Sequence, residues 1–102
     1  MTKDPQTAAT VKEILDLIKS ISPGKSVELR VPPYGAIQCV AGSNHRRGTP
    51  PNTVEMSGQT LIALINEPLL WSSLCESGEV RASGLLSDLS NLFAQAAVKY
   101  RA

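Results

Sequence analysis

Between Ser26 and Pro32 the chain reads Val27-Glu28-Leu29-Arg30-Val31, an alternation that puts three aliphatics on one face of a strand and two opposite charges on the other. A strand of this kind lays one face on a core and leaves the other to water, so it needs a cover. The segment upstream supplies one. Val11, Ile14, Leu15, Ile18 and Ile21 recur at three- and four-residue steps, with Lys12, Glu13, Asp16 and Lys19 on the opposite arc, which predicts an amphipathic helix over Pro5 to Ser20. Asp4 is a good N-cap and Pro5 fits the first helical position, where a missing N–H costs nothing. Ser22-Pro23-Gly24 ends the helix.

Beyond the strand, Pro32-Pro33 stops the ladder, and Tyr34 to Val40 reads as a second strand, hairpin-like with the first and buried on both faces. Ala41 to Asn52 holds glycine, proline, asparagine and basic side chains without apolar periodicity, which marks a long loop. Thr53 to Met56 predicts a short strand. Ser57 then caps a helix carrying Leu61, Ile62, Leu64 and Ile65, and a further short helix runs from Pro68 through Trp71 and Leu74 to a glycine stop at Gly78. Glu79 to Ser83 alternates as a strand. Ser87 is the expected cap of a last helix whose Leu89, Leu92, Phe93, Ala96 and Ala97 form one stripe. This order does not alternate strand and helix throughout. It predicts an α+β two-layer sandwich in which a mainly antiparallel or mixed sheet of four to five strands carries helices on one face. At 102 residues it is one domain, residues 1–102.

Charge and composition restrict function. Ten Lys and Arg against nine Asp and Glu leave a net charge of +1, too small a field to favour nucleic acid. No apolar run approaches the ~18–20 residues of a membrane span, and Met1 to Thr10 is too polar for a signal peptide, so a cytoplasmic protein is expected. Cys39 and Cys75 lie far apart in separate elements and are read as reduced, partly buried thiols. With His45 as the sole histidine, they are too few and too scattered for a metal site. No catalytic constellation converges, and no cofactor motif is present. A thiol-dependent enzyme using Cys39 would require a lowered thiol pKa.

Two groups of residues are candidates for binding. Asn44-His45-Arg46-Arg47-Gly48-Thr49 pairs adjacent guanidinium groups with backbone donors, which suits a phosphate or carboxylate headgroup or an acidic partner; a solvated loop is the alternative. Ile37, Leu64, Trp71, Leu74, Leu89 and Phe93 are the candidates to line an apolar pocket between the late helices and the sheet, with ordinary core packing as the alternative.

The segment Leu70-Trp71-Ser72-Ser73-Leu74-Cys75-Glu76-Ser77-Gly78-Glu79-Val80-Arg81-Ala82-Ser83-Gly84, followed by Ser87-Asp88-Leu89, resembles the helix, glycine, strand, glycine, helix closure of sterol carrier proteins. Arg30 to Tyr34, Gln38 to Val40 and His45 to Asn52 are similar to a small bacterial branch of that family. The resemblance covers about Val27 to Phe93. It implies a sheet backed by helices with an apolar tunnel for sterols, fatty acids or acyl-coenzyme A, and in some relatives an accessory domain of thiol-dependent isomerases. The chain departs from the family in offering four strands rather than five. The function expected is non-catalytic binding of a lipid, fatty-acyl or similar apolar ligand; the alternative is an interaction module for a partner enzyme, with no ligand tunnel.

Overall fold

The computed structural model describes residues 4–42 and 52–102. Helix α1 spans Pro5–Ile21, and Asp4 caps it by accepting from the Thr7 backbone N–H at 2.9 Å and the Thr7 hydroxyl at 2.7 Å. Those hydrogen bonds hold the Asp4 carboxyl below its usual range. Strands β1 (Val27–Val31) and β2 (Gly35–Cys39) form an antiparallel hairpin around a cis Pro32-Pro33 bond. Strand β3 (Asn52–Glu55) lies on the other side of β1 and runs parallel to it, and β4 (Arg81–Ser83) pairs antiparallel with β3. The sheet is therefore mixed, in the order β2-β1-β3-β4. Helices α2 (Gly58–Asn66), α3 (Trp71–Ser77, entered through a 3-10 turn at Pro68–Leu70) and α4 (Ser90–Arg101) complete the chain.

The alternation in β1 has the consequence its pattern implies. Val27, Leu29 and Val31 are fully buried under the helices, together with Val11, Ile14 and Ile18 of α1, Leu61, Leu64 and Ile65 of α2, and Phe93 and Ala96 of α4. On the opposite face, charges of alternating sign meet along β1 and across to β3 and β4. Arg30 meets Glu28 at 2.8 Å and Glu55 at 4.0 Å, and Glu55 meets Arg81 at 2.6 Å. This is the α+β sandwich expected.

Three local expectations change. The Tyr34 to Val40 segment is an edge strand rather than one buried on both faces, and Gly35, Ala36 and Gln38 are exposed, because the sheet grows from β1 toward β3 and leaves β2 with one neighbour. Strand β4 is shorter than Glu79 to Ser83. Val80 is buried, but its N–H goes to the Leu74 carbonyl of α3, so it closes the helix end and does not join the ladder. Ser87 does not cap α4. Its hydroxyl donates to the Gly84 carbonyl, Leu89 occupies the cap position, and Asp88 accepts from the Ser90 N–H instead. Elsewhere the cap chemistry is as read: Ser57 accepts from the Thr60 N–H, and Gly78 ends α3 with φ +84°.

Candidate functional site

At the end of the sandwich where α1 stops and α4 starts, four parts of the chain converge on one cleft. Ile21 and Ser22 come from the end of α1, Val40 from the end of β2, and Leu85, Leu86, Asp88 and Leu89 from the β4–α4 connection. Asn91, Leu92 and Gln95 come from the first turns of α4. The cleft holds about 340 Å³, within the range of ~300–1,000 Å³ common for small-molecule sites. Its floor is aliphatic, since Leu89 and Leu92 are buried, while Ser22, Asn91 and Gln95 give it a polar rim. Asp88 at the rim stays ionised, because hydrogen bonds from the Ser90 side chain and backbone hold its carboxyl below the usual range.

Backbone contact rather than side-chain volume sets this geometry. Asn52, the first residue of β3, is buried, and its amide reaches in two directions: Nδ2 donates to the Ser26 carbonyl at 2.8 Å and Oδ1 accepts from the Leu86 N–H at 2.9 Å. Gly84 lies so close to this side chain that a Cβ would come within 2.2 Å of Asn52 Oδ1, and its φ of +110° is one that L side chains rarely adopt. Gly42 approaches Ser26 and Leu86 in the same way, with a Cβ falling 2.2 Å from Ser26 Oγ and 3.1 Å from Leu86 Cδ1. Val40 has φ +68°, an unfavourable conformation for a β-branched residue, and is tied there by bonds from its N–H to Ser22 and from the Ser26 N–H to its carbonyl. The result is a rigid lip.

Of the residues singled out in the sequence, Leu89 lines this cleft. Leu64, Trp71 and Phe93 are buried in the main core, where the Trp71 and Phe93 rings lie 5.9 Å apart at 33°, and Ile37 and Leu74 are half-buried against it. His45, Arg46 and Arg47 lie outside the described residues, although the described chain stops at Gly42 and resumes at Asn52, both beside Leu86. Among the described residues no group of three His, Cys, Asp or Glu side chains is placed to hold a metal ion, and no helix is long and apolar enough to cross a membrane. Burial pushes the Cys39 thiol up to about 11, the opposite of what a thiolate nucleophile needs. Cys75, half-buried, is also raised, first by burial and then by the Asp88 charge.

Sequence reasoning had Gly84 only as part of the strand, glycine, helix closure, and assigned no role to Asn52, Val40 or the leucine pair. One signal was available: Leu85-Leu86 sits between Gly84 and Ser87, in a stretch that is otherwise turn-like and offers the pair no helix or strand stripe to join.

The chain is similar in fold to a solved structure described as a UbiJ-SCP2 ubiquinone synthesis protein, with a TM-score of 0.55 over 100% of this chain and 98% of that one at 17% identity. No curated protein matches it. The sequence profile of the family described as bacterial SCP ortholog matches residues 3–94, nearly the whole sandwich, and the chain therefore belongs to that family.

Proposed function

We propose that this protein is a non-catalytic binder of a lipid, fatty-acyl or similar apolar ligand, and that the ligand's chain enters at the cleft between α1 and α4. The observation that carries this reading is a cleft of about 340 Å³ with an aliphatic floor and a polar rim. In this reading Leu89 and Leu92 meet the chain, and Ile37, Leu64, Trp71, Leu74 and Phe93 form the apolar body behind them. An anionic headgroup is disfavoured beside the ionised Asp88, and His45, Arg46 and Arg47 are the residues proposed to meet it. The ubiquinone synthesis named for the similar structure fits an apolar, polyprenyl-type ligand as well as a fatty acid.

Titration with a fluorescent fatty acid, paired with native mass spectrometry after gentle purification, tests the reading. Saturable uptake that falls about ten-fold in Leu86→Gln is expected, since one leucine face removed from apolar contact is worth about that much. Arg46→Ala with Arg47→Ala is expected to weaken a fatty acid and to spare its methyl ester. No uptake together with a clean apo mass would instead favour an accessory module for a partner enzyme, a reading that the complete burial of Leu64 and Phe93 supports.

A further inference from the structure

The lip of the cleft carries a leucine, Leu85, whose complete exposure ligand binding alone does not explain. Leu85 is fully exposed, at 101% of its reference area, and Leu86 beside it is 43% exposed, whereas Leu89 and Leu92 a turn later are buried. Together Leu85 and Leu86 form a small apolar patch at the mouth of the cleft. The turn that presents them is fixed. The Leu86 N–H is bonded to Asn52, the Ser87 N–H and hydroxyl both go to the Gly84 carbonyl, and Gly84 is pressed against Asn52. The turn's backbone therefore holds Leu85 outward, and two of its backbone donors are already satisfied.

We infer that the Gly84 to Ser87 turn is a lipid-surface anchor, inserting Leu85 and Leu86 into the interfacial region of a phospholipid layer and seating the cleft mouth against it. This inference rests on the cleft binding an apolar chain, and it names the phase from which that chain is drawn. Two leucine side chains fall far short of the roughly 1,200 Å² that a specific protein interface buries, whereas insertion into lipid needs no matching surface. Charge at this end agrees. Lys19 in the last turn of α1 and the exposed Lys25 stand against Asp88, and Lys25 lies between Gly24, which abuts Val40, and Ser26, which abuts Gly42. An excess of cations favours a layer containing anionic headgroups.

The test is flotation of the full chain with phosphatidylcholine vesicles containing a minority of phosphatidylglycerol. Leu85→Ser is compared with Leu69→Ser, which alters another nearly fully exposed leucine, on the 3-10 turn after α2. Leu85 makes no buried contact, so the variant folds as the parent does. The expected result is a drop in vesicle partitioning of about ten-fold for Leu85→Ser and none for Leu69→Ser. In addition, Leu85→Trp emission should shift to the blue on vesicles and be quenched by brominated lipid. Equal losses in the two serine variants, no loss in either, or an unshifted Leu85→Trp spectrum would overturn the anchor. Fatty-acid uptake by the parent in vesicle-free solution is measured separately, and its absence strikes the cleft reading alone.

Discussion

The interior between α1, α2, α4 and the sheet is held in a different way from the cleft end of the same sandwich. In the interior, Ile14, Leu29, Leu64 and Phe93 are all fully buried, and almost every contact is aliphatic or aromatic. At the cleft end the fixed points are an asparagine amide, two glycines and a valine in a strained conformation, while two leucines are left in the solvent. Apolar area stabilises the first region without regard to detailed direction. Directional hydrogen bonds and close backbone approach fix the second, which allows it to keep an apolar surface open.

The largest effect that should separate the two regions comes from Phe93→Ala. Phe93 is fully buried and pairs with Trp71, so its removal costs about 3–5 kcal/mol in urea denaturation. At the cleft end the sensitive change adds atoms. Gly84→Ala places a Cβ on Asn52 and forces a positive φ on an L residue, at a cost of about 2–3 kcal/mol. Asn52→Ala leaves the Leu86 N–H and the Ser26 carbonyl without their partner, at about 2 kcal/mol. Combined, the two changes should cost clearly less than their sum, because the added methyl no longer meets an amide. Full additivity would mean that Gly84 and Asn52 do not act through each other.

These differences also explain what could be read from the chain. Val27 to Val31, Val11 to Ile21 and the caps Asp4, Ser57 and Gly78 are local patterns with one physical solution, and each was legible. Strand β2 misled because an apolar run of small residues looks the same whether it is central or at an edge, and only the path of the sheet decides. Ser87 misled because a serine two positions before a helical stripe can serve a turn as well as a cap. The cleft was largely hidden. Its geometry depends on Asn52 meeting Leu86 across 34 residues and on Gly42 meeting Ser26, contacts that no periodicity encodes.

Alkaline pH gives a middle-sized effect that belongs to the interior. The buried Cys39 thiol is pushed from 9.0 to about 11, so between those values the unfolded chain has lost a proton that the folded chain keeps. Stability is fully present below about pH 9 and falls as pH rises through this window, by about 2 kcal/mol at its upper end. Comparing urea midpoints of the parent and Cys39→Ala across that range isolates the contribution, since the difference between them should shrink or reverse as pH rises. Alkylation gives a kinetic counterpart. Cys75, half-buried, should react in the folded protein, whereas Cys39 should react only as fast as the chain opens. Rapid folded-state labelling of Cys39 would contradict its burial.

The smallest expected change in stability sits at Val40, where the two kinds of design meet. Its φ of +68° costs a β-branched residue about 1–2 kcal/mol, which Val40→Gly would recover. Against that gain stand the greater freedom of glycine in the unfolded chain, about 0.5–1 kcal/mol, and the loss of a half-buried side chain worth about 1 kcal/mol. The terms nearly cancel, so the urea midpoint should move by less than about 1 kcal/mol in either direction. Uptake is expected to respond differently. Val40 forms one wall of the cleft beside Ile21 and Leu86, and glycine removes that wall, so fatty-acid affinity should fall about five- to ten-fold at nearly constant stability. A protein that unfolds much more easily would make Val40 part of the core. Unchanged stability with unchanged uptake would mean that the ligand does not touch this wall, and would move the entrance of the chain away from the α1–α4 cleft.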